Sequence, residues 1–170
     1  MYDLKGQKLA QAVTGTPGHV NTMAMAVSHF LERFPVETMK PGDVFVTNDP
    51  WMGTGHLFDY VTLTPAFRDE DPVAFFASTC HVTDVGGRGF TADAASMFEE
   101  GVLIPHMRIR SAGRPSAAFV WRFFGNRRRS DSRRGCTAAW KLSNTGGYGH
   151  WRTVADSARS WIAAIDRLLF

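Results

Sequence analysis

The chain has 170 residues, of which 44% are apolar and 21% charged, a composition that is typical of one globular domain and excludes disorder over most of the length. No run of about 18 apolar residues occurs, which excludes a transmembrane helix, and two cysteines exclude a disulfide framework or a four-cysteine zinc site. The net charge of +3 hides an asymmetry, because residues 1–106 carry −7 and residues 107–170 carry +10.

The first predicted elements are a turn and a helix. A turn at Lys5-Gly6 separates two short strands, and apolar residues recur at helical spacing over residues 21–34. Asn21 is the expected N-cap of this helix, and Pro35 the expected stop.

Three β-rich segments follow the helix, at 44–47, 60–67 and 73–79. The second and third are separated by a short polar connection, so they are predicted to pair as a hairpin. Pro65 indicates a sheet edge or a bulge within the second segment, because proline donates no ladder hydrogen bond.

The composition of the sequence changes after the β-rich segments. A short helix is predicted over residues 92–100, with Gly101 ending it, and the mixture of helices and hairpins predicts an α+β fold. Beyond residue 113 the sequence is rich in arginine and tryptophan, and a helix is predicted over residues 154–169. The arginines of residues 122–134 have aromatic neighbours, which leaves open a basic nucleic-acid-binding module or a solvated segment.

One constellation has the residue types of a metal site. His56 and Asp59 are three positions apart after a small-residue loop, and a hairpin that goes out and returns brings His81 beside Asp59. Asp84 and Asp49 are candidates for outer contacts to these ligands. Nitrogen and oxygen donors of this kind suit Zn, Mn, Fe or Co. The alternative is ordinary, since a His and an Asp at this spacing are common without a metal.

Other signals for chemistry are weak. Residues 53–55 lack the spacing and the lysine of a phosphate-binding loop, so they predict a turn. Cys80 adjoins His81, but neighbours on a strand point to opposite faces, which argues against a Cys–His nucleophile pair. No catalytic residue and no cofactor-binding residue is assigned from the sequence.

Several blocks in order resemble the hydantoinase B/oxoprolinase family, which includes B subunits of N-methylhydantoinases, the C-terminal part of 5-oxoprolinase, and subunits of acetone and acetophenone carboxylases. The resemblance covers about residues 2–112 and rests on LKGQKLAQAVTGTPGHVNTM, GDVFVTNDPWMGTGHLFDYVTLTPAF, FFASTCHVTDVGG and FEEGVLIP.

The resemblance implies a function for the same three residues. The family's His–x–x–Asp pair falls on His56 and Asp59, and its later histidine falls on His81, which implies a divalent metal site. It also implies an A-type subunit that binds ATP, and a cyclic amide substrate (hydantoin, 5-oxoproline or lactam) that is hydrolysed, or a ketone that is carboxylated. Apart from the resemblance, the lack of an apolar signal-peptide core and of a disulfide framework predicts a cytoplasmic protein, with no membrane partner.

Two departures from the family pattern qualify this expectation. The family has an acidic metal ligand upstream of the position of Tyr2, and the tail diverges after residue 112. These departures favour the hypothesis of a fragment, with a partial hydantoinase B-like domain over residues 1–112 and a divergent basic tail over 113–170 that comes from an altered reading frame. A catalytically inactive, truncated remnant is the corresponding alternative function, and the fragment alone is expected to be inactive.

Overall fold

The computed structural model describes residues 1–11, 17–81, 85–89 and 91–116. The described elements, in chain order, are α1 (His19–Arg33), a 3-10 turn (Val36–Thr38), β1 (Val44–Thr47), β2 (Asp59–Arg68), β3 (Asp71–His81), α2 (Met97–Glu100), β4 (Met107–Ser111) and β5 (Arg114–Pro115). Helices thus accompany a single antiparallel sheet, which confirms the α+β prediction. The predicted helix over 154–169 and the arginine-rich segment 122–134 lie outside the described residues.

The five strands form one sheet in the order β3-β2-β1-β4-β5, with each neighbouring pair antiparallel. The predicted hairpin is confirmed as β2 and β3, and both strands extend beyond the predicted bounds. Pro65 pairs with Phe75 of β3, whereas β1 pairs with β2 only as far as Leu63. The missing N–H of Pro65 is tolerated there because β2 is an edge on that side, and a bulge follows between Ala66 and Phe67.

The sheet has an apolar core on each face. Alternate side chains of the strands pack under α1 on one face, because side chains on a strand alternate between faces; this core includes Val27, Phe30, Phe45, Leu63 and Phe75. The other face packs against the loops that follow β1 and β3, in a core that includes Val46, Leu57, Phe58, Tyr60 and Ile104. Val85 and Ile104 thereby hold the described parts of the segment between β3 and β4 against the sheet, and Met97 of α2 packs beside them.

The start of α1 differs from the prediction. The helix begins at His19 with Gly18 as N-cap, and no side chain caps it. The turn at Pro17-Gly18 opens the helix instead, since Val20 N–H donates to the Pro17 carbonyl and Thr22 Oγ1 donates to the Gly18 carbonyl. The prediction of Asn21 as N-cap was therefore wrong. The stop before Pro35 is confirmed.

The second helix is much shorter than predicted. Only Met97–Glu100 is helical, because local side-chain hydrogen bonds hold the preceding residues in turns. Asp93 N–H donates to Thr91 Oγ1, and Ala95 N–H donates to the Glu99 carboxylate. Gly101 ends the helix as predicted, with φ 155°. No helix in the described ranges combines the length and apolarity needed to cross a membrane.

Candidate metal centre

The hairpin brings the carboxylate of Asp59 against the imidazole of His81. The two residues are directly opposed in the register of β2 and β3, and directly opposed residues of an antiparallel pair point to the same face. Asp59 lies two positions before Val61, so both side chains are on the face that α1 covers. The His81 Nδ1 atom is 2.9 Å from Asp59 Oδ1. The proximity predicted from the out-and-back path of the chain is thus confirmed.

The loop between β1 and β2 delivers His56 to the same carboxylate. The loop begins with a turn in which Asp49 accepts hydrogen bonds from the backbone N–H groups of Trp51 and Met52. Gly53 then passes so close to the Asp49 carbonyl that an added Cβ would lie 2.6 Å from it. The loop returns at His56, whose Nε2 atom is 3.3 Å from Asp59 Oδ2.

Asn48 ties this loop to the segment before β4. Its buried side chain donates to the carbonyls of Leu57 and Val102, at 2.9 and 3.0 Å, and accepts from the backbone N–H of Ile104. Thr47 Oγ1 also donates to the Ile104 carbonyl. Because Leu57 follows His56 directly, these hydrogen bonds hold the backbone next to His56.

His56, Asp59 and His81 fit a small divalent cation. Each offers one ligand atom, and these atoms all lie within 4.8 Å of one another. Ligands at about 2.1 Å in a tetrahedral site are roughly 3.4 Å apart, close to the 2.9 and 3.3 Å that separate each imidazole from a carboxylate oxygen. Asp59 is 1% exposed, and a buried carboxylate requires positive or hydrogen-bonding partners. The donor set of two nitrogens and one oxygen therefore suits Zn, Mn, Fe or Co.

Two further side chains reach Asp59 that the sequence analysis missed. His19, the first residue of α1, places Nε2 3.0 Å from Oδ2, and Thr54 Oγ1 donates to the same oxygen at 3.0 Å. His19 was missed because the helix was expected to begin after it. Thr54 was missed because residues 53–55 were interpreted only as a turn.

The other candidates lie elsewhere. The Asp49 carboxylate caps the first turn of the loop and is not in the converging group, so its proposed outer contact to the ligands stays a prediction. Asp84 lies outside the described residues. Cys80 is opposite Tyr60 in the hairpin, and the pKa of its thiol is raised by burial and then by the Asp59 charge. The neutral thiol is consistent with the expectation that Cys80 and His81 do not form a nucleophile pair.

The chain belongs to the hydantoinase B/oxoprolinase family, whose family model matches residues 1–157. The match extends beyond the 2–112 covered by the resemblance in the sequence analysis. The division at residue 112 stays a prediction, because the structure does not describe residues beyond 116.

Individual proteins are similar to this chain in sequence or in structure. The 5-oxoprolinase PfmaA of Pestalotiopsis fici is 37% identical over 116 residues, which are 66% of this chain and 9% of that protein. The ATP-dependent caprolactamase of Pseudomonas jessenii has the same fold, with a TM-score of 0.65 and 22% identity over 89% of this chain and 25% of that one. A nucleotide-free acetone carboxylase has a TM-score of 0.59 and 22% identity over 90% of this chain and 22% of that one. The chain thus spans only a small part of the relatives that it matches.

Proposed function

We propose that this chain is the metal-binding part of a hydantoinase B/5-oxoprolinase-type protein. It acts with an ATP-binding A-type subunit in the ATP-dependent hydrolysis of a cyclic amide, or in the carboxylation of a ketone. The three ligands are His56, Asp59 and His81. The single observation that carries this proposal is the convergence of their ligand atoms within 4.8 Å around a buried carboxylate.

A divalent metal at this site would supply chemistry that both proposed reactions require. A bound divalent metal polarises a carbonyl or holds an attacking water. The two imidazoles are partly exposed, with side-chain exposures of 30% for His56 and 52% for His81, so a small molecule can approach the site from their side. Asp59 holds the opposite, buried side of the site and supplies negative charge to the cation.

ATP is assigned to a partner in this proposal. The chain has no sequence with the glycine spacing and lysine of a phosphate-binding loop, and residues 53–55 form part of the loop that positions His56. The similarity to 5-oxoprolinases and to an ATP-dependent caprolactamase supports ATP-dependent opening of a cyclic amide as the reaction class. The cytoplasm is the proposed location, since Cys80 is a free thiol.

Metal content tests the proposal. The full chain is incubated with Zn²⁺, Mn²⁺ or Co²⁺, freed of unbound ion by gel filtration, and analysed by mass spectrometry of the metal. We expect about one equivalent in the wild type and a large loss in His81→Ala, because an open-sided site with three ligands loses most of its affinity with one of them.

His29→Ala is the matched control. His29 lies on α1, is partly exposed and contacts Glu32 rather than Asp59, so its removal should leave the metal content unchanged. Equal metal content in His81→Ala and the wild type would contradict the proposal. The ATP-dependent part is tested by adding a cognate A-type subunit and measuring ATP-dependent turnover of hydantoin, 5-oxoproline or a lactam, which should fail with His81→Ala.

A further inference from the structure

Asp59 Oδ2 receives two contacts from outside the three-ligand group. His19 Nε2 lies 3.0 Å away, at the first residue of α1, and Thr54 Oγ1 donates at 3.0 Å from the loop before β2. These side chains come from two different elements and meet on one oxygen. Asp59 Oδ1 is the oxygen beside His81 Nδ1.

We propose that His19 and Thr54 are positioning residues that hold the Asp59 carboxylate in the orientation in which it binds the metal. This inference rests on the proposed metal site. The Thr54 hydroxyl donates to Oδ2, and the His19 imidazole is in ion-pair contact with the same oxygen, so a loop and a helix both hold the carboxylate. His56 approaches Oδ2 at 3.3 Å and His81 approaches Oδ1 at 2.9 Å, so each carboxylate oxygen lies beside one of the proposed ligand imidazoles.

The geometry favours an outer contact over direct ligation by His19. The ligand atoms that converge within 4.8 Å belong to His56, Asp59 and His81, and His19 is not a member of that group. Its imidazole contacts Asp59 Oδ2 at 3.0 Å, so its recorded contact within the site is with the carboxylate. Metal-binding carboxylates are themselves hydrogen-bonded in this way, and removing such a partner reduces metal affinity by about 10- to 100-fold.

The helix gives His19 a rigid base. Further along α1, Val27 and Phe30 are fully buried against the sheet, and Thr79 of β3 donates to the Met23 sulfur. Thr79 is two positions before His81, so α1 and the metal-binding end of β3 are linked directly. The backbone at His19 is therefore carried by a helix that is packed against the sheet.

Co²⁺ titration of the full-length chain tests the positioning role, with the visible spectrum and the dissociation constant as readouts. We expect His19→Ala to weaken Co²⁺ binding by about 10- to 100-fold, and Thr54→Val to weaken it by about 10-fold. His19→Gln keeps an N–H donor near the Nε2 position, so it should bind within about threefold of the wild type. The visible spectrum should be the same in all variants that bind, because the ligand atoms are unchanged.

Controls separate positioning from folding and from ligation. His29→Ala should bind like the wild type, and the melting temperatures of the metal-free proteins should agree. Wild-type affinity in His19→Ala, or equal weakening in His19→Gln and His19→Ala, would overturn the positioning role. An altered Co²⁺ spectrum in His19→Gln would make His19 a ligand and overturn it as well. Absence of Co²⁺ binding by the wild type would instead overturn the proposed metal site itself.

Discussion

Asp59 combines almost complete burial with an ionisable group, an arrangement that is unfavourable unless partners compensate the charge. The compensation comes from the Thr54 hydroxyl and from three imidazoles, on His19, His56 and His81. If this position served only to fill an apolar core, a smaller apolar residue would be more favourable there than Asp59. In the proposed function, a cation shared by the carboxylate and the imidazoles completes this compensation.

His106 is a buried histidine that is not part of the candidate metal centre. It is 8% exposed, its ring meets Phe30 edge to face, and its Nε2 has no hydrogen-bond partner in the described part of the chain. Burial, and secondarily the nearby Arg33 charge, lower the pKa of His106 to about 4. Between about pH 4 and pH 6.5, His106 is thus mostly neutral in the folded protein and mostly protonated in the unfolded chain.

This shift predicts that stability falls on acidification between about pH 6.5 and pH 4, because there the unfolded state binds the proton and the folded state does not. We expect a contribution of about 2 kcal/mol over this window. Urea unfolding of the metal-free protein at about pH 7 and about pH 4.5 measures it. His106→Gln should show a smaller loss of stability over the same window, and a loss equal to that of the wild type would contradict the assigned pKa.

At the level of individual residues, part of the candidate site could be predicted from the sequence. Asp59 and His81 could be paired because a hairpin with a short connection has little freedom of register. His19 could not be paired with Asp59 in the same way, since the contact depends on how α1 lies across the sheet. Had the helix been predicted to begin at the Pro17-Gly18 turn, His19 would have been placed in its first turn. Its contact with Asp59 would still not have been predicted.

Among the elements, the loop between β1 and β2 depends most on a single polar side chain. Asn48 is 1% exposed and satisfies two carbonyls and one N–H from separate parts of the chain. Buried groups that lose a partner without gaining water are destabilising by about 1–3 kcal/mol each. Asn48 therefore stabilises both the loop and the segment that it contacts.

Asn48→Ala should lower the free energy of unfolding by about 3 kcal/mol, because it leaves the Ile104 N–H and the Leu57 and Val102 carbonyls without this partner. Urea denaturation with fluorescence detection measures the change. Ser28→Ala is the control, since Ser28 is exposed and donates only within α1. A change below about 0.5 kcal/mol in Asn48→Ala would show that the loop is held by other contacts.

The elements themselves were predicted unevenly, for physical reasons. The β1 segment and the hairpin followed from β-rich runs between turn signals. The helix over 92–100 was overestimated because polar side chains compete with the helical backbone for hydrogen bonds. β4 was missed, although Met107 and Ile109 pack on the core while Arg108 and Arg110 alternate with them.

At the scale of the whole molecule, the chain carries a family fold but only a fraction of the length of its relatives. It spans 9% of the Pestalotiopsis fici 5-oxoprolinase and 25% of the caprolactamase. The three proposed ligands come from one loop and one hairpin within this region. The proposed function assigns the binding of ATP to a partner subunit.

This division of labour predicts that the chain alone does not bind ATP, because it has no phosphate-binding loop. Isothermal titration with ATP and Mg²⁺ should give no saturable signal at millimolar nucleotide. Addition of an A-type subunit should restore binding, and the enlarged complex should show ATP hydrolysis stimulated by a cyclic amide. Saturable ATP binding by the isolated chain would contradict the assignment of the nucleotide to a partner.

The most direct measurement is X-ray absorption spectroscopy of the full chain loaded with one equivalent of Zn²⁺ or Co²⁺. The account predicts a first shell of nitrogen and oxygen at about 2.0–2.1 Å, with the outer-shell scattering of two imidazoles, from His56 and His81. His81→Ala should lose one of the two imidazoles. An oxygen-only shell without imidazole scattering would contradict the central claim that these residues bind the metal.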